Sequence, residues 1–340
     1  MPQRERDIVL AVSLDVEEEG LFGGAYQLQG ATVRNVAELK RFAPLCERGI
    51  KPTLFCAHSV LADADACRCL ARMRDTHGAE IGAHLHHWNT PPVATDHGAH
   101  HADGAVASRV PAGAVPNDLM ADKLHSLFDA ARNFQGAAVT SFRMGRWDLH
   151  RQHWPLLAQA GVQVDASVRP LHGASASGNP DHFDAPSNPY WVPVGDTKIF
   201  EAPLTATPLL PCLRSLASGP AKGLRGAFHT WGALALLPVY HPLWAMKRIT
   251  DLYIRRGGRL LSLTWHSSEM MPGGAPHIPD EAAVRALLGK ITAYVDWLER
   301  RWNIRHCTMQ QVREALGPDA PTPQGAPGCD WTTAGKGGEA

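Results

Sequence analysis

From Asp7 to Leu14 the chain reads DIVLAVSL, apolar at both alternating sets of positions, which predicts a strand buried on both faces. The strand runs directly into an acidic segment, Asp15-Val16-Glu17-Glu18-Glu19, and then a glycine-rich loop. Apolar positions recur at Val36, Leu39, Phe42 and Cys46, a helical period over 32–48 that Pro44 is expected to kink or shorten. A second strand is predicted at 52–57, a helix at 60–75 and a third strand at 79–84, closing on His84. The alternation continues with helix 117–134, strand 138–142, helix 148–160 and strand 162–164. It ends with strand 259–265 and a helix carrying Val284, Leu287, Leu288, Ile291, Val295 and Leu298 at three-to-four spacing. Strands separated by helices of this length need right-handed crossovers, so a parallel sheet covered by helices is expected.

Two stretches break the rhythm: 88–116, rich in His, Pro, Gly and Ala, and 170–248, with strand signals at 190–194 and 198–201. Long loops in a compact domain are ordinarily functional. Residues 1–316 therefore read as a single α/β domain with these two insertions, and the Gly/Pro/Ala-rich 317–340 as a disordered tail. The 340 residues are 44% apolar, enough to build a large core. Lys+Arg and Asp+Glu each number 33, which leaves no net field to draw the chain onto nucleic acid. The longest apolar run, 231–246, falls short of the ~20 residues of a bilayer span, so peripheral membrane contact is the most it predicts. Seven cysteines without paired Cys-x-x-Cys units suggest neither a disulfide framework nor a thiolate zinc site. The charged amino terminus lacks the cleavage pattern of a secretory signal, so a cytoplasmic protein is expected. Oligomeric state is not legible.

In parallel α/β architectures the ligand face lies at the carboxyl ends of the strands. Here five such ends are ionisable. The first strand closes on Asp15 and Glu17, two residues apart and thus on one side; the third on His84 and His86, again i, i+2. The others close on Arg143, Asp165 and His266. A lone histidine at a strand end is ordinarily a hydrogen-bonded surface group. Two imidazoles and a carboxylate at the same end of separate strands are instead a set that suits zinc or a similar divalent ion with positions left for water and substrate.

These residues resemble the motifs of the polysaccharide deacetylase family, the NodB-homology or carbohydrate esterase family four group. Ser13-Leu14-Asp15-Val16-Glu17 is similar to its acidic motif, and Glu80-Ile81-Gly82-Ala83-His84 to the lead-in of its histidine motif. Phe142-Arg143-Met144-Gly145, Val164-Asp165-Ala166-Ser167 and Leu263-Thr264-Trp265-His266 resemble the arginine, aspartate and terminal histidine motifs, in family order over about three quarters of the chain. The departures point to a divergent branch. An acid-x-acid segment replaces adjacent aspartates, Trp88 stands where an i, i+4 histidine belongs, and Gly145-Arg146-Trp147 replaces a proline-tyrosine pair. His86 or His87 must then supply the second imidazole, and the i, i+2 relation to His84 favours His86.

The resemblance implies a distorted (β/α) barrel with an incomplete strand set and a hydrolase acting on an amide, N-acetyl or similar, of an amino sugar or glycan precursor. It implies one divalent ion, zinc first, on Glu17, His84 and His86. Asp15 would be the base, held by Arg143, and His266 the acid, oriented by Asp165. Trp88 and Trp147 are candidate substrate walls, with Glu201 at the rim. Two further readings are a non-catalytic carbohydrate-binding relative and a deformylase or ring-amide hydrolase on a small substrate. A second metal site at His97, His100 and His101 is not expected, because their Ala/Gly/Asp surroundings fix no ligand geometry.

Overall fold

A computed structural model describes residues 7–27, 30–93, 110–174, 178–218 and 222–323. Its strands are β1 (Asp7–Val16), β2 (Thr53–Ala57), β3 (Glu80–Leu85), β4 (Ser141–Met144), β5 (Val164–Asp165), β6 (Tyr190–Val194), β7 (Thr197–Glu201), β8 (Ala206–Pro208), β9 (Ala233–Ala235), β10 (Leu260–His266) and β11 (Asn303–Cys307). The main sheet runs β10-β1-β2-β3-β4-β5-β7-β6, with β11 also pairing with the first half of β1. Its pairings are parallel except β6–β7, a hairpin closed by Gly195. β8 and β9 form a separate antiparallel pair within the second insertion.

The periodicity predicts the long elements well. The helix expected at 117–134 spans Asn117–Gln135, and the late one spans Glu281–Arg301 behind an Asp280 N-cap. The helix expected over 32–48 is a 3-10 segment, Arg34–Phe42, followed by the short helix Ala43–Cys46, with Pro44 at the junction. The fourth strand begins later than expected, at Ser141.

The sheet curls. Residues Ile8, Leu10, Val12, Leu14 and Val16 of β1 join the outer core beneath the helices, while Val9 and Ala11 join an inner cluster with Phe55, Val164, Phe200 and Leu260. The helix Met309–Leu316 adds Met309, Val312 and Leu316 to that inner cluster. β1's inner set thus reads Val9, Ala11, Ser13, Asp15: apolar at one end of the barrel and polar at the other. Among the described residues no strand pairs with the free edge of β10. Instead the Thr205 hydroxyl donates to the Leu260 carbonyl (2.9 Å) and accepts the Ser262 N–H (2.7 Å), lacing the two sides together.

The first residues of the expected tail, 317–323, pack on the domain. Gly317–Asp319 form a 3-10 turn, and Trp191 of β6 bonds the Gly317 and Pro321 carbonyls through its indole and backbone N–H groups. Residues 324–340 lie outside the described residues, as do His97, His100 and His101. No helix among the described residues is long and apolar enough to cross a membrane. The second insertion does expose Leu209, Leu210, Tyr240 and Trp244. The six described cysteines are unpaired.

Replacing Thr205 by Val should orphan a buried N–H and a buried C=O, and so cost about 2 kcal/mol or more in urea unfolding. Thr205→Ser should retain most of that stability; a Val variant as stable as the parent would show that the seam contributes nothing.

Candidate metal centre and active-site pocket

The parallel register sets the strand ends beside one another. Asp15 lies opposite His266, Ala57 opposite His84, and His84 opposite Arg143. Each functional group therefore rises from the polar mouth of the barrel above its apolar floor.

Glu17, His84 and His86 converge, all buried, with donor atoms within 4.8 Å of one another. Glu17 Oε2 is 3.4 Å from His84 Nε2 and 3.1 Å from His86 Nε2. Bonds of ~2.1 Å at tetrahedral angles would hold ligand atoms ~3.4 Å apart, so the group fits a divalent ion with little adjustment. The far side of each ring is tethered: His84 Nδ1 donates to the Arg143 carbonyl (3.0 Å) and His86 Nδ1 to Glu18 Oε1 (3.0 Å). That leaves both Nε2 lone pairs aimed inward, the arrangement expected of metal-ligating histidines. Burial alone would raise the Glu17 pKa, but His266, His84 and His86 hold it well below the usual carboxylate range. Its backbone is pinned as well, because Glu17 C=O accepts from Asn35 Nδ2 (3.0 Å) and Asn35 Oδ1 accepts from Ser267 (3.0 Å).

The two candidate histidines point in different directions. His87 Nε2 donates to the Val110 carbonyl (2.9 Å), away from Glu17, whereas His86 faces it. Gly145 makes room for that ring: a Cβ there would lie 2.4 Å from His86 Cδ2 and 2.7 Å from the Leu85 carbonyl.

Asp15 is bound by Arg143, whose Nη1 donates to Asp15 Oδ1 (2.5 Å) and Thr264 Oγ1 (2.9 Å), Nη2 to Ser13 Oγ (2.9 Å) and Nε to the Ala166 carbonyl (3.1 Å). The Phe55 ring covers the guanidinium at 4.3 Å. Burial pushes Asp15 up, yet Arg143, His84 and His266 together keep it ionised with a lowered pKa. His266 Nε2 stands 3.8 Å from Asp15 Oδ2 and 4.0 Å from Glu17 Oε1. Its burial works against charge, but Glu17 and Glu269 outweigh this and raise its pKa to about 10.

Two expectations need correction. Asp165 does not orient His266; that ring's Nδ1 donates to Glu269 Oε2 (3.0 Å), which also accepts the His266 backbone N–H (2.8 Å). Asp165 instead accepts from the Ser167 hydroxyl (2.6 Å) and backbone N–H (2.9 Å). Glu201 is not at the rim. It is fully buried, accepts from Val168 N–H (3.1 Å) and faces Asp165, so burial and the neighbouring carboxylate raise its pKa well above normal. The register explains both: Asp165 and Glu201 lie level with Phe142, one residue deeper than Arg143.

Above the donors lies a cavity of about 310 Å³, walled by Phe22, Tyr26, Trp88, Trp147, Arg146 and Arg169 among others. Trp88 stacks on His86 with ring centroids 4.3 Å apart, and Phe22 meets His266 edge-on at 4.7 Å. Arg146 (φ 59°) and Trp147 (φ 61°) both occupy the left-handed region, a strained turn that sets the Trp147 ring 5.0 Å from the Arg143 guanidinium. Sequence reasoning missed Glu18, Glu269, Tyr26 and Arg169. The His266-x-x-Glu269 spacing, a capping box around a 3-10 turn, was the available signal for Glu269.

No family model matches the sequence, and no curated protein matches it. Solved structures do share its fold. A Mycobacterium smegmatis protein described as a polysaccharide deacetylase superposes with a TM-score of 0.53 over 95% of this chain and 94% of its own, at 17% identity. A Pseudomonas aeruginosa protein so described gives 0.52 over 92% and 91% at 13% identity. The allantoinase PuuE gives 0.53 over 94% and 92%, also at 13% identity. The chain thus has the distorted (β/α) barrel of the polysaccharide deacetylase type, carried by a divergent sequence.

Replacing Glu18 by Gln should weaken divalent-ion affinity by about 10–100-fold, the usual effect of removing a carboxylate behind a metal-ligating histidine. Competition against a chromogenic chelator measures it; unchanged affinity would show that Glu18 does not set the His86 ring.

Proposed function

We propose that the protein is a metal-dependent hydrolase that removes an acetyl or similar small acyl group from the nitrogen of an amino sugar or glycan precursor. The observation that carries this reading is the convergence of the Glu17, His84 and His86 donors, with Asp15 and His266 beside them at one pocket floor. A divalent ion held there, zinc by the donor set, would polarise the amide carbonyl and lower the pKa of water.

The chain's own groups supply the proton transfers. Asp15, fixed and kept ionised by Arg143, accepts a proton from the attacking water. His266, held through Nδ1 by Glu269, keeps its second proton on Nε2, on the side facing Asp15. It delivers that proton to the departing nitrogen as the C–N bond breaks, leaving a carboxylic acid and an amine. The two groups sit in environments that push their protonation in opposite directions, which separates base from acid. Trp88 and Trp147 flank the pocket as flat walls for a ring. The modest cavity also favours a second reading, hydrolysis of a formamide or ring amide on a small molecule. Product analysis for acetate, formate or a ring-opened acid separates the two.

Elemental analysis and turnover of a panel of N-acetylated amino sugars test the roles together. Glu17→Ala and His84→Ala should purify without the ion. Asp15→Asn should keep it while kcat falls by about 10²–10⁴-fold, the range for a lost general base. If Asp15→Asn loses the ion, Asp15 is a ligand; if no added divalent ion yields hydrolysis, the reading fails.

A further inference from the structure

Arg169 lies on the pocket wall, and nothing in the chemistry above uses it. Its Nε is sealed from water without a hydrogen-bond partner, and among the described residues its guanidinium forms no ion pair with a carboxylate, the Trp147 ring lying 5.9 Å from it. Asp148, the carboxylate whose charge reaches it, spends Oδ1 on His150 Nε2 (2.8 Å) and Oδ2 on the Ala112 N–H (2.7 Å). The imidazoles behind it bring no counter-charge. His182 Nδ1 accepts the Arg169 backbone N–H (3.2 Å) while its Nε2 faces the Leu149 carbonyl (3.3 Å), so the ring is neutral. Burial and Arg169 itself hold the His182 pKa down to about 3. Burial lowers Arg169 only to about 10, which leaves it charged at neutral pH.

Arg169 is half-buried on the pocket wall, and a guanidinium with one N–H sealed off and no carboxylate among the described residues beside it gains most from a ligand that supplies the anion. The planar fork matches a carboxylate or phosphate better than a hydroxyl. The cavity, at about 310 Å³, is at the small end of ligand sites, so one compact molecule must offer both the anion and the amide.

We propose that the pocket takes a small acidic substrate, an N-acylated amino sugar bearing a carboxylate or phosphate that pairs with Arg169. The amide half of this statement rests on the hydrolase reading above; the anion half rests on Arg169 alone. It refines what the balanced overall charge suggests, because the field that selects the substrate is local.

Calorimetry with deacylated probes, which cannot turn over, tests it on the full chain as purified: glucosamine, muramic acid and glucosamine 6-phosphate. One or both acids should bind at least about tenfold more tightly than glucosamine, and Arg169→Gln should erase that ratio while Arg169→Lys restores part of it. Muramic acid alone marks a carboxylate substrate and the phosphate alone a phosphate one. Because no carboxylate among the described residues pairs with the guanidinium, Arg169→Gln should unfold at the same or a higher temperature than wild type. Equal affinity for all three probes, binding of none, or a ratio that survives Arg169→Gln overturns the proposal. Acid preference without hydrolysis of any N-acetylated counterpart keeps the anion site and removes the hydrolase reading; hydrolysis without acid preference does the reverse.

Discussion

A guanidinium in the middle of a barrel must have its donors met by the walls, and the walls here meet those of Arg143. Its hydrogen bonds end on Ser13 and Asp15 of β1, on Thr264 of β10 and on the Ala166 carbonyl just after β5, and Phe55 of β2 covers it. One side chain therefore ties together the strand ends that line the pocket floor. Breaking a buried pair such as Arg143–Asp15 is strongly destabilising, commonly about 3–5 kcal/mol, so this contact constrains the fold as well as the site. It also fixes Asp15 in orientation and charge, and the Arg143 carbonyl in turn holds His84 by its Nδ1.

The same logic repeats outward from that contact. Each imidazole at the pocket floor is gripped on its far nitrogen by an acceptor, a carbonyl for His84, Glu18 for His86 and Glu269 for His266. Grip on Nδ1 decides where Nε2 points, and the three Nε2 atoms face the Asp15 and Glu17 carboxylates. Backbone accommodation follows from this crowding. Gly145 exists as a glycine because His86 occupies the space of a Cβ, and the turn after it accepts two left-handed residues to bring Trp147 over the pocket.

Much of this was legible in the sequence because doubly buried strands are long apolar runs, and their polar terminators stand out. Asp15, Glu17, His84, His86, Arg143 and His266 were all found that way, and the structure brings them together. What failed was depth. Asp165 and Glu201 also end strands, but β5 and β7 stop one register step lower, which turns a supposed orienter and a supposed rim residue into a buried acid pair. Strand register depends on pairing across the sheet, and a single strand's pattern does not encode it. Glu18 and Glu269 escaped for a related reason: they act through turns beyond the strands, where no period of two applies. The Gly/Pro composition of the segment after Leu316 concealed an ordered turn because Trp191, over a hundred residues away, supplies its donors.

We propose that Glu17, His84 and His86 form the ion-binding face of the pocket, with Asp15 and His266 left to move protons. Anomalous diffraction from crystals soaked in zinc tests it most directly. One strong peak is expected, bonded to a Glu17 oxygen and to Nε2 of His84 and His86 at ~2.0–2.2 Å, with Asp15 still paired to Arg143. A peak ligated by Asp15 or His87, or no peak at this face, would contradict it.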